Sequence, residues 1–213
     1  MRAIIFANGE LDDTQGARDL VRDDDLVIAV DGGTRHVWEV GVDPQCVIGD
    51  LDSLTPSEQE RLRASGVQII PFSTRKDETD LELALLQAAC EGAESIVVLA
   101  ALGGRLDHTI ANLLLLALPE LDGIDVRVVE GLQVAFLIRD GALVEGQPGD
   151  TVSLIPLGGD AVGVTTEGLE WSLNDDTLHF GPARGVSNAL IAERASVRVR
   201  QGQLLCVVTH ASE

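Results

Sequence analysis

The chain has 213 residues, of which 45% are hydrophobic and 23% charged, and carries a formal net charge of −20. That length and apolar content suit one sizeable core or two modest ones and exclude a disordered chain. The acidity argues against nucleic acid as a partner, because phosphate backbones are held by Lys and Arg; any phosphate ligand must bring a metal or meet locally concentrated base.

The first residues, MRAIIFANGE, enter a strand pattern directly, without the basic and apolar regions of a secretory leader. No apolar run reaches the roughly 20 residues needed to cross a bilayer. The longest, 110–118, predicts a buried helix. A cytoplasmic protein without a membrane partner is therefore expected. Cys46, Cys90 and Cys206 lie far apart in apolar contexts and form no CxxC pair, which predicts buried free thiols.

Apolar, β-rich runs at 3–7, 26–30, 46–49, 68–72, 95–100 and 126–129 predict strands. Amphipathic patterns at 14–21, 35–40, 57–64, 79–91 and 107–118 predict helices between them. Short continuous apolar strands alternating with helices imply an α/β fold, a doubly wound and mostly parallel sheet covered on both faces. Helix-start signals agree, with Pro56, Ser57 and Glu58 at one start and Thr79 with Glu82 at another. After about Gly131 the pattern changes. VAFLIRDG, DTVSLIPLGG, AVGVTTEGL, DTLHFGP, ASVRVRQG and QLLCVVTH are short runs punctuated by Gly, Asp and Pro, several of them alternating in polarity. They predict an antiparallel β-sandwich or small barrel. The change falls between 131 and 141, giving expected domains of 1–135 and 136–213.

In doubly wound sheets, ligands sit beyond the carboxyl ends of the strands. Here AVDGG ends the second strand with Asp31, Gly32 and Gly33, whose glycines let backbone approach a phosphate. IGDLDS ends the third with Asp50 and Asp52. In an extended segment that spacing puts both carboxylates on one side, where they repel unless a cation lies between them. STRKDETDLELAL follows the fourth, placing Arg75, Lys76, Asp77 and Asp80 at a helix start. Lys76 is the only lysine, beside fourteen arginines. LGGRLDHTIANL follows the fifth with Gly103, Gly104, Arg105, Asp107, His108 and Asn112. Singly, each is an ordinary turn or helix-start residue; four successive strand ends carrying Gly, acid and base are not. Carboxylates suit Mg²⁺ and Lys76 suits a phosphate. GxxxxGK[ST] and GxGxxG are both lacking. The reaction class implied is Mg²⁺-dependent phosphoryl or pyrophosphoryl transfer from a nucleotide.

These motifs, in this order, resemble the thiamine pyrophosphokinase family. The match runs through DGG at 31–33, GDLDS at 49–53, KDETDLELAL at 76–85 and GGRLDHTIANL at 103–113, then GLEWSLND at 168–175 and GVSN at 185–188. The resemblance implies an α/β nucleotide-binding domain followed by a β-sandwich, working as a homodimer with active sites at the subunit interface. It implies transfer of pyrophosphate from ATP to the hydroxyl of thiamine, giving AMP and thiamine diphosphate. Carried over, it makes Asp50, Asp52, Asp77 and Asp80 the magnesium and phosphate centre. Asp31, Gly32, Gly33, Lys76, Arg105, Asp107 and His108 become nucleotide-side or transition-state residues. Trp171, Ser187 and Asn188 fall in the thiamine-binding part, where a Trp face suits a cationic thiazolium and an aromatic pyrimidine. One departure is Ala189, where many relatives carry Glu. Two other readings stay open: a pyrophosphokinase for another alcohol such as a pterin, and a non-catalytic thiamine or nucleotide sensor. The second expects a loss of acids, and all four are present.

Overall fold

The computed structural model describes residues 1–71 and 77–211. It divides into two compact units, Met1–Gly131 and Leu132–Glu213.

In the first unit, β1 (Arg2–Phe6), β2 (Leu26–Val30), β3 (Cys46–Gly49), β4 (Gln68–Pro71), β5 (Ser95–Leu99) and β6 (Asp125–Glu130) form a sheet in the order β6-β5-β1-β2-β3-β4. Each pairing is parallel, with Ile4 opposite Val27 on one side and Val97 on the other. Strand residues alternate between two covered faces. Ile4, Phe6, Ala29 and Val47 pack with Ala17, Val37 and Leu62, which belong to α1 (Thr14–Leu20), α2 (Gly33–Glu39) and α3 (Pro56–Ser65). Against the sheet lies also α4 (Asp80–Cys90), whose Leu81, Ala84, Leu85 and Ala88 repeat at the spacing of one helical face and are buried. Burying such a Leu or Ile contributes about 1.5–3 kcal/mol each.

Helix starts follow the capping signals. Thr55 and Glu58 make a reciprocal box at α3, and the Thr79 side chain accepts from the Glu82 N–H at α4. The segment read as a long buried helix differs. Here α5 (Leu106–Leu114) stops early and passes into short 3-10 turns at Leu115–Ala117 and Pro119–Leu121, and none of its residues is buried. Pro119 cannot continue a helix. Leu106, Ile110 and Leu114 form an exposed stripe one turn apart, so apolarity alone misstated the burial. Cys90 likewise is exposed at the end of α4, whereas Cys46 and Cys206 are buried; none of the three is in a disulfide.

The second unit is antiparallel throughout. One sheet runs β12-β9-β14-β7, from β12 (Asn188–Ala189), β9 (Thr151–Pro156), β14 (Leu204–Thr209) and β7 (Gln133–Ile138). The other runs β11-β10-β13-β8, from β11 (Asp176–Leu178), β10 (Ala161–Glu167), β13 (Arg194–Arg198) and β8 (Gly141–Glu145). Alternate residues of both sheets, including Phe136, Ile138, Val152, Leu154, Val164, Val197 and Cys206, build one core between them. The sequence reading passed over β8, a short strand with Leu143 exposed.

Candidate active site

After β1 the chain fills one side of the sheet through β2, β3 and β4, then returns to the other side of β1 with β5. This reversal opens a crevice at the strand ends. It is a cleft of about 830 Å³. Its walls come from the ends of β1 (Asn8, Gly9, Glu10), β2 (Asp31), β3 (Asp50, Asp52, Ser53) and β5 (Gly103, Gly104), from the approach to α4 (Glu78, Thr79, Asp80), and from α5 and the residue before it (Arg105, His108, Asn112).

Asp31, Asp50 and Asp52 each bring a carboxylate oxygen within 4.8 Å of the others. The Asp50–Asp52 segment does not reach this by staying extended. The strand ends at Gly49, and Leu51 turns into the left-handed region at φ 63°. The Asp52 N–H then donates to Asp50 Oδ1 at 3.0 Å, and the Leu51 N–H donates to Asp31 Oδ1 at 3.1 Å. Gly49, at φ 140°, makes room for this. A Cβ there would lie 1.9 Å from Asp31 Oδ1. Arg35 of α2 fastens the loop from below, donating to the Ser53 carbonyl at 2.6 Å while its fork grips Glu58. That grip, with the Thr55 N–H, holds the Glu58 carboxyl near 2. Gln59 adds bonds to the Leu51 and Leu54 carbonyls. Leu51 is a leucine in a conformation that costs a non-glycine residue roughly 1 kcal/mol, so these contacts outweigh local strain.

Asp31 is only 9% exposed. Burial, then its hydrogen bond and charge repulsion with Asp80, push its carboxyl up to about 7, with Asp50 adding repulsion and the Leu51 N–H opposing. So much negative charge converging on oxygen donors alone fits a hard divalent cation. Asp31, read from the sequence on the nucleotide side, thus stands with Asp50 and Asp52, and Asp80 touches it. Asp77 is exposed and outside both the three-carboxylate group and the cleft lining. Lys76 and Arg75 lie outside the described residues. Gly33 opens α2 tightly under the end of β1, since a Cβ there would meet the Phe6 carbonyl oxygen at 2.2 Å.

Across the cleft, Arg105 Nε donates to Asp107 Oδ1 at 3.1 Å, and this bond lowers the Asp107 carboxyl below its usual range. Both side chains are exposed; Arg105 and His108 line the cleft and Asp107 does not. Asn112 holds the loop before α5 through the Ala101 carbonyl at 2.6 Å. Asn8, Glu10, Ser53 and Glu78 escaped the sequence reading, although Asn8 and Glu10 follow the strand at the reversal point, where position alone marks them.

In the second unit, Trp171 and Asn188 are hydrogen-bonded neighbours, and Ser187 adjoins them with φ 61°. Trp171 is 60% exposed. Trp38, by contrast, packs beside the first unit's core, with Arg61 4.0 Å above its ring.

A doubly wound domain gathering carboxylates at its switch point, followed by a β-sandwich, defines a metal-dependent enzyme acting with a nucleotide. The model of the thiamin pyrophosphokinase catalytic domain matches residues 17–128, and that of the thiamin pyrophosphokinase vitamin B1 binding domain matches residues 143–204. The chain belongs to the thiamine pyrophosphokinase family, transferases that use ATP to convert thiamine into thiamine diphosphate. It is 28% identical over 184 residues to thiamine pyrophosphokinase of Bacillus subtilis, covering 85% of this chain and 86% of the relative. The crystal structure of that organism's thiamine pyrophosphokinase aligns over 100% of both chains with a TM-score of 0.88 at 26% identity. That of Geobacillus thermodenitrificans gives a TM-score of 0.86 at 25% identity, over 100% of this chain and 99% of the other.

Proposed function

We propose that the cleft of the first unit binds ATP together with Mg²⁺, and that Asp31, Asp50, Asp52 and Asp80 hold the metal. Bound there, Mg²⁺ would neutralise phosphate charge in the transition state. Lys76, Arg105 and His108 serve the phosphates and the transferring group, and Asp107 holds Arg105. Gly32 and Gly33 serve the nucleotide indirectly, letting α2 start close against Asn8 and the end of β1. The thiamine hydroxyl forms a bond to the β-phosphorus as the bond to the α-phosphate oxygen breaks, releasing AMP and a proton. Trp171 and Ser187 serve thiamine. The carrying observation is the convergence of three carboxylates within 4.8 Å at adjacent strand ends.

The working unit is a homodimer with shared active sites, located in the cytoplasm. The exposed stripe on α5 supports the first statement, since it starts beside Arg105 and His108 and each of its three side chains is half or more exposed. Three cysteines, none of them in a disulfide, suit a reducing compartment.

The test is to incubate the protein with thiamine, ATP and Mg²⁺ and identify both products. Thiamine diphosphate with AMP is expected. ADP would mean single phosphoryl transfer, and no turnover would leave a binding protein. A pterin alcohol in place of thiamine should give no AMP.

A further inference from the structure

We infer that Asn188 is a positioning residue for Trp171, fixing the tryptophan at the thiamine site through its backbone rather than contacting thiamine itself. The inference rests on the assignment of Trp171 to thiamine. The segment 168–171 lies against 188–191 in a short antiparallel ladder. Leu169 bridges Leu190, the Glu170 N–H donates to the Ala189 carbonyl at 3.0 Å, and the Ile191 N–H donates to the Gly168 carbonyl at 3.1 Å. Before Asn188 this ladder stops. Ser187 takes φ 61°, which turns the chain out of the strand, and its N–H goes to Ser153 Oγ at 3.1 Å. The side chain of Asn188 then continues the ladder. Its Oδ1 accepts from the Trp171 N–H at 3.0 Å and its Nδ2 donates to the Trp171 carbonyl at 2.7 Å. A carboxamide carries the donor and acceptor of a peptide group, so it pairs with both backbone groups of one residue. Oδ1 accepts a second N–H, from Ala189 at 2.9 Å. The amide is largely committed before any ligand arrives.

Trp171 needs this hold. Its side chain is mostly exposed, so packing does not fix it, and a face that binds an aromatic cation must be in place beforehand to avoid ordering costs on binding. Asparagine is the residue that supplies both partners at this reach. Aspartate has the same shape, but when ionised it loses the donor and faces the Trp171 carbonyl with negative charge.

The chain has two tryptophans, so Trp38→Phe leaves Trp171 as the sole reporter. In that background, Asn188→Ala and the isosteric Asn188→Asp should lower the fluorescence anisotropy of Trp171 and raise its acrylamide quenching, with thermal unfolding close to the parent. The KM for thiamine should rise about tenfold while the KM for ATP stays within twofold. In a double-mutant cycle Asn188→Ala should add nothing once Trp171 is Ala. Unchanged Trp171 fluorescence with a raised thiamine KM, or full additivity in the cycle, would overturn the inference and make Asn188 a direct contact. Failure of the parent assignment looks different. Trp171→Ala alone would then leave the thiamine KM unchanged, removing Asn188's part in binding even where fluorescence shows the clamp.

Discussion

Asp50 is half-buried and Asp52 exposed, so burial does not set them apart; the loop that carries them does. Their loop is held in a costly turn by Arg35, Gln59 and the Asp31 carboxylate, and the result is concentrated negative charge. Asp50→Asn and Asp52→Asn should each lower kcat by about two to three orders of magnitude, since a lost ligand removes several kcal/mol of charge stabilisation. Circular dichroism and thermal unfolding should show an intact fold; near-normal turnover of both at saturating Mg²⁺ would remove them from the centre. Asp31 adds a pH dependence whose sign is fixed. Its folded value, about 7, stands above the ordinary 3.8, so the metal-free fold keeps a proton that the unfolded chain has released. Its contribution to stability is fully present below about pH 4 and is lost as the pH rises towards 7. Metal binding must expel that proton, so Mg²⁺ affinity by titration calorimetry should be about tenfold weaker at pH 6 than at pH 8. Buffers of different ionisation enthalpy should report proton release at pH 6, and Asp31→Asn should flatten the profile.

At the scale of elements, what matters is that β2 and β3 end side by side with no side chain between their carboxylates. Gly49 is the means. Gly49→Ala puts a methyl group 1.9 Å from Asp31 Oδ1 in a backbone conformation that alanine resists. It should destabilise the metal-free protein by about 1–3 kcal/mol in denaturant titration. Adding Asp31→Ala should return part of that loss, because the clash goes and the backbone strain stays; purely additive losses would mean that the carboxylate lies elsewhere. Much of this layout was legible in the sequence. The parallel strands are continuous apolar runs, and Cys46–Gly49 and Leu26–Val30 were read to the residue. The acids at strand ends followed from the topology. What stayed hidden depends on tertiary geometry. The grouping of Asp31 with Asp50 and Asp52 needs the register of two strands twenty residues apart. The turn at Leu51 carries no glycine to betray it. The tie between Asn188 and Trp171 joins segments seventeen residues apart through a side chain acting as backbone.

For the whole molecule, the segment that misled the sequence reading becomes informative. A helix with Leu106, Ile110 and Leu114 all half or more exposed carries a stripe that a second chain can cover, and it begins at cleft residues Arg105 and His108. In a two-fold dimer with shared sites, the nucleotide side of one chain works with the thiamine side of its partner. This arrangement has an arithmetic consequence. One inactive protein carries Asp50→Asn; another carries Ser187→Ala with Trp171→Ala. Unfolded together and refolded in equal amounts, about half the dimers pair one chain of each kind. Each mixed dimer then holds one site with both lesions and one site with neither. Activity should return to roughly a quarter of wild type, and a chromatographic tag on one chain should carry the activity with the mixed species. If every site lies within one chain, each keeps a lesion, and mixed dimers shown to form would remain inactive.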